Sequence, residues 1–294
     1  VDLRLSRLRL MPMTFQAYDG HQVDGLLGYD FFEHFVVAID YSARSLSLRA
    51  PGDRDGGVKG RRLPLILLED DSGGKVPLVI ARITQSGRPP TLGKFILDTG
   101  ARMALVLNTP YVASHGILEA VPRTITMIVG GGGMVRDLRL PIGRVDRLEI
   151  GIPSPLVGFA QDTTGILSAT EFDGVVGGEL LRRFRVVFDY SAEAVFLEPT
   201  PVLAQPFEHD MSGLFVVEDD AAGPRIRDVL EGSPASEAGL KVGDVIVSID
   251  RTPAQGMTLD CLRRRFLNEG RVVAVTVQRG AATIQAKIRL RRLI

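Results

Sequence analysis

The apolar positions of this chain fall into short runs separated by Gly, Pro, Asn, Asp and Ser. Such runs, rich in Val, Ile and Leu and bounded by turn formers, read as strands, because helices need a longer apolar stripe of period 3.6. Strands are predicted at residues 62–68, 76–85, 95–97 and 104–107, followed by a short helix at Pro110–His115 behind Asn108 or Thr109 as cap. Residues 123–129 and 134–140 alternate on either side of Gly130, Gly131, Gly132 and Gly133, a hairpin pattern with a glycine tip.

The same pattern occurs twice. Residues 24–48 align without gaps on residues 173–197, an offset of 173 − 24 = 149, and ten of the 25 positions are identical. Each copy predicts a strand (25–28, 174–177), a short helix (31–35, 180–184) and a hairpin turning on Tyr-Ser-Ala. Asp40 and Asp189 close the first hairpin strand and read as turn formers, since Asp bonds its own turn backbone readily. His34 aligns with Arg183, which marks an exposed helix position. The first copy holds only the closing part of the unit. A polar, glycine-rich stretch at 51–60 separates the copies, and the proline-rich stretch 199–206 marks a second boundary.

Composition narrows the choice of partners. The 294 residues carry 35 basic and 35 acidic side chains, a formal net charge of zero, which argues against nucleic acid or an anionic membrane surface. Arg263-Arg264-Arg265 and the tail 289–292 read as solvated faces. No apolar run reaches membrane-spanning length. Cys261 is the only cysteine, so no intrachain disulfide forms, and its place in a predicted helix reads as a small buried hydrophobe. The four histidines have no metal-binding spacing and no Gly-x-Ser-x-Gly elbow is present; neither metal nor cofactor is called for.

The run Lys94-Phe95-Ile96-Leu97 delivers Asp98, Thr99, Gly100 and Ala101 into a turn, and Phe172-Asp173-Gly174-Val175-Val176-Gly177 follows downstream. Together with the duplication, these motifs resemble the retropepsin-like aspartic protease family in its bacterial form. The resemblance implies β-barrel lobes of the acid-protease type and hydrolysis of peptide bonds by two carboxylates that share one proton across a bound water. Asp98 would supply one carboxylate, Gly100 the tight turn, and Thr99 a hydroxyl brace between paired loops. Gly130 to Gly133 would be the tip of the flap over the substrate. Ala101 stands where pepsin-like enzymes often carry a hydroxyl. Counting back 177 − 98 = 79 residues from Gly28 puts the partner turn roughly 50 residues before Val1, so the second carboxylate is expected upstream or from a homodimer joining two Asp98 loops. Without either, this chain would be inactive.

Beyond residue 206, the order Gly232-Ser233-Pro234-Ala235, Ala238-Gly239-Leu240, Gly243-Asp244-Val245-Ile246 resembles a bacterial PDZ domain over residues 207–294. That resemblance implies a peptide C-terminus adding as a strand beside Gly213, Leu214, Phe215 and Val216, with Ser212 to Phe215 as a loose match to the carboxylate loop. The expected fold is mainly β. It comprises the closing part of a first lobe (1–52), a complete second lobe (58–200) and an α+β PDZ domain (207–294). The leading functional expectation is an aspartic endopeptidase acting on peptide or protein substrates, with a PDZ tether. The alternative is a non-catalytic peptide-binding scaffold on a degenerate protease fold. Likeness to exported bacterial proteins places it in the periplasm or at the cell surface.

Overall fold

The structure is a computed structural model that describes residues 26–53, 59–69, 73–129, 138–219 and 222–294. The described residues divide into two compact units, one from 26–124 and 142–207, the other from 125–141 and 208–294.

Both units are mainly β. In chain order the first holds α1 (Tyr29–Phe32), β1 (Val36–Asp40), β2 (Ser45–Arg49), β3 (Arg61–Pro64), β4 (Ile66–Glu69), β5 (Lys75–Thr84), β6 (Thr91–Asp98), β7 (Leu105–Leu107) and α2 (Thr109–His115). The segments flanking the glycine run form β8 (Ile125–Val129), which belongs to the other unit, and β9 (Leu138–Arg144), whose residues from 142 belong to this one, while Gly130 to Gly133 lie outside the described residues. Then come β10 (Leu156–Phe159), β11 (Gly174–Gly177), α3 (Gly178–Leu181), β12 (Phe184–Asp189) and β13 (Ala194–Pro199).

One sheet joins the two sequence copies in the order β2-β1-β12-β13-β3. Strand β1 runs antiparallel to β12, with Val36 opposite Asp189, Ala38 opposite Val187 and Asp40 opposite Arg185. The 149-residue offset converts 36 to 185 and 40 to 189, so each copy meets the other across a local two-fold axis. Val36, Ala38 and Val187 form a buried cluster there. The turn reading of the two aspartates is borne out. Asp40 Oδ1 accepts from Ala43 N at 2.9 Å, and Asp189 Oδ1 accepts from Ala192 N at 3.0 Å and from Ser191 Oγ at 2.7 Å. The helices start sooner than predicted, directly after Gly28 and Gly177, because the extended glycine leads into the helix with no side-chain cap to wait for.

A second sheet runs β5-β6-β11-β7-β10-β9. Strand β11 is inserted between β6, to which it is parallel, and β7, to which it is antiparallel. Phe95, Leu105, Leu107, Val157, Phe159 and Val176 are fully buried around it. Leu26 and Leu27 of the first copy form no strand and are exposed, with no equivalents of β6 and β7 ahead of them among the described residues. Asn108 was a candidate helix cap, yet its side chain is fully buried and donates to Phe172 O at 2.9 Å instead. Arg183 also departs from expectation. It is fully buried, its guanidinium lies 3.5 Å from the Phe207 ring, and it bonds Glu179 and the carbonyls of Val202, Gln205 and Pro206. Its counterpart His34 is exposed, as expected.

The second unit folds around a sheet of β14 (Leu214–Asp219), β15 (Gly223–Val229), β16 (Val245–Ile249), β17 (Val272–Arg279) and β18 (Ala282–Arg289), paired in that order. Two short helices, α4 (Pro234–Glu237) and α5 (Leu259–Arg264), close its apolar core over Leu214, Val216, Ile226, Ile246, Val273 and Val275. Ser233 and Thr258 cap them through their hydroxyls. Helix α5 and its C-cap region bury Leu259, Leu262 and Phe266, spaced one helical face apart. Cys261 falls on the other face and is exposed, which corrects the expected buried hydrophobe.

Candidate functional site

Two places merit a chemical reading. The first is the end of β6. Parallel pairing sets Asp98 opposite Gly177, and the loop after it packs so closely that a side chain at Gly177 would run into the Ala101 and Met103 carbonyls. Gly178 N donates to Ala101 O at 2.6 Å, fastening the two loops. Asp98 itself is exposed, and its Oδ1 accepts from Gly100 N at 2.8 Å and Ala101 N at 3.2 Å. Among the described residues these are the hydrogen bonds of its carboxylate, and they are those of an Asp-initiated turn. Gly100 does not adopt a left-handed φ; a Cβ there would lie 3.2 Å from Asp98 Oδ1. Thr99 is exposed on the same turn. Tyr41 lies close enough to feel Asp98: burial chiefly, and then the carboxylate's charge, push its phenol up to about 12.

The second place is the edge of the second unit. Among the described residues, strand β14 has β15 on one side and stands at the end of the sheet, with α5 packed beside it. The guanidinium of Arg263 on α5 donates to Val216 O at 3.1 Å, reaching the strand's outer carbonyl. Arg263 is thus not the solvated residue expected from its triple-Arg run. Phe215 and Val217 are half-buried along this edge, while Leu214 and Val216 point into the core.

The loop preceding β14 is tightly determined. Gly213 has φ +80°, and a Cβ there would run into the fully buried Ser233 side chain. Its donors are engaged one by one. Asp210 Oδ1 accepts from Ser212 N and Gly213 N at 2.8 Å each, and from Ser212 Oγ at 2.6 Å. Ser212 Oγ in turn accepts from Leu214 N at 3.1 Å, and Met211 N donates to Phe266 O at 2.9 Å. Burial raises the pKa of Asp210, against the Ser212 hydroxyl, the nearby His209 and the loop amides, which favour its charged form. The sequence reading placed Gly213, Leu214, Phe215 and Val216 here and missed Asp210, which reads in sequence as an ordinary turn former.

The remaining candidates are structural. Ser114 Oγ lies 3.0 Å from His115 Nδ1, but both groups turn onto Tyr111 O at the end of α2. Arg291 and Arg292 of the basic tail pair with Glu237, Glu208 and Glu269. Among the described residues no cluster of His, Cys, Asp and Glu could hold a metal ion, and no helix is long and apolar enough to cross a membrane.

A family model described as a PDZ domain matches residues 225–279. The second unit carries a PDZ domain. The match takes in helix α5, while β14 and the loop before it precede its first residue. No curated protein matches the chain. Similar solved structures include an HtrA-type protease, a point variant of AlgW with decapeptide, at 13% identity, 79% of this chain, 78% of that chain and a TM-score of 0.28. A serine endoprotease from Yersinia pestis gives 12%, 88%, 93% and 0.29, and AlgW with decapeptide 14%, 88%, 81% and 0.27.

These findings correct the expected aspartic endopeptidase. The solved structures named above are proteases of other kinds and the family match falls on the PDZ unit, so nothing found carries the aspartic reading. At TM-scores below 0.3 the likeness transfers no serine chemistry to this chain either.

Proposed function

We propose that this chain is a peptide-binding protein whose PDZ domain takes up an extended peptide as an added strand along β14, in the groove beside α5. The observation that carries this reading is the position of β14 at the end of its sheet, within a unit whose family match is a PDZ domain. An edge strand presents backbone donors and acceptors to any extended chain, and the neighbouring helix supplies a wall for its side chains. The first unit then serves as a scaffold. Insertion of β11 between β6 and β7 supports a lobe of retropepsin type over residues 58–200, as a fold without that family's reaction.

Arg263 supplies the test. Its guanidinium holds the Val216 carbonyl, an acceptor that an added strand would use. Arg263→Met keeps the apolar stem and frees that carbonyl. Fluorescence anisotropy with a labelled ten-residue peptide of alternating Val and Thr should show saturable binding to the full chain. The variant should bind about threefold tighter or more, the worth of one hydrogen bond no longer displaced. Absence of saturable binding to both proteins would overturn the reading.

A further inference from the structure

We infer that the groove of this PDZ domain accepts an internal extended segment of a partner chain, not a chain end, because Asp210 already occupies the carboxylate-binding loop. This rests on the peptide-binding reading above and specifies its ligand.

A loop of successive backbone N–H groups binds an anion only when those groups point at it with no other acceptor. Here Ser212 N and Gly213 N both point at Asp210 Oδ1, and Leu214 N at Ser212 Oγ. Met211 N is also spent, on Phe266 O. Four consecutive donors are therefore satisfied from within the domain. The loop has little freedom to turn them outward: Ala235 N donates to Ser212 O at 2.9 Å, Leu230 N to Gly213 O at 2.8 Å, and Gly213 lies against Ser233.

Geometry carries the point further. A ligand's terminal carboxylate reaching for these amides would have to displace Asp210 Oδ1, which already holds them. An internal segment brings only neutral amides to this end of the groove. It still gains the strand pairing along β14, where Val216 O lies on the outer edge. The partner is thus a protein with an extended, uncharged stretch that continues past both ends of the groove.

The test uses the full chain and one labelled sequence, Gly-Ser-Gly-Thr-Val-Tyr-Val-Thr-Val-Phe, in three forms: free carboxylate, carboxamide, and extended at the C-terminus by Gly-Ser-Gly-Ser. All three should bind within about threefold of one another, whereas a ligand read by its carboxylate loses about tenfold or more on amidation, the 1.4 kcal/mol of a charged hydrogen bond. In Asp210→Ala, which removes the acceptor and frees the Ser212 and Gly213 amides, the free-carboxylate form should gain about threefold or more over the carboxamide. Tenfold preference for the free carboxylate in the unmodified protein would overturn the inference while leaving peptide binding intact. An unchanged ratio in Asp210→Ala would remove Asp210 as its cause. Failure of all three forms to bind would instead overturn peptide binding itself.

Discussion

At the residue scale, Gly213 concentrates the demands of the groove. Its left-handed φ and its contact with Ser233 both exclude a side chain. Ser233 has no room to yield, since it is fully buried and its hydroxyl caps α4 by accepting from Ser236 N. Gly213→Ala should therefore destabilise the PDZ domain by about 2 kcal/mol or more, from overpacking and backbone strain together. Urea unfolding followed by a signal from this domain checks it, and an unchanged midpoint would show that the loop relaxes. Gly213 entered from the sequence as part of a loose match to a carboxylate loop, and its left-handed φ and contact with Ser233 became visible only in the fold. Asp210 did not enter, since its role depends on amides converging in space. Arg183 and Cys261 were misplaced for a related reason: spacing alone does not fix which way a residue faces just past a four-residue helix or on a six-residue one.

At the scale of elements, one link within the PDZ sheet is polar. Asp244, just before β16, is almost wholly buried and takes two hydrogen bonds from Arg279 at the end of β17, at 2.6 and 2.7 Å, and one from Lys241 N at 2.9 Å. Burial alone would raise its pKa, but the Arg279 pair and the Lys241 amide outweigh it and hold the carboxyl below its ordinary value. A carboxyl depressed in the native state stabilises fully above its unfolded pKa of about 3.9, and that contribution fades as pH falls through the native value. Acid titration of stability should therefore show a loss beginning below about pH 4. Asp244→Asn should cost about 2 kcal/mol at neutral pH and flatten that acid limb, because the partly exposed guanidinium regains water. A variant with the same acid limb would assign the loss to other carboxylates. Gly243-Asp244 was visible in the sequence as part of the PDZ motif, while its Arg279 partner, 35 residues on, was not.

At the scale of the whole molecule, duplication was the most legible feature, and the structure gives it a physical form. Repeated hairpins offset by 149 residues pair β1 with β12 about a local two-fold, so the first copy contributes β1 to the interior of a five-stranded sheet. What the sequence could not supply was which chemistry the scaffold retains. The strand-turn that carries Asp98 packs against Gly177, and that packing by itself assigns no reaction to the carboxylate. The sheet that unites the copies gives a direct test of how the molecule is built. Ala38 is nearly fully buried opposite Val187, in a cluster with Val36. Ala38→Asp would put an unpaired carboxylate there, at a cost of at least about 3 kcal/mol. Two compact units, each with its own core, need not melt together. Calorimetry should show one transition moved down by several degrees and a second, belonging to the PDZ domain, left in place. Peptide affinity measured below the first transition should be unchanged. A single merged transition that shifts as a whole would mean that the duplicated sheet and the peptide groove form one cooperative body.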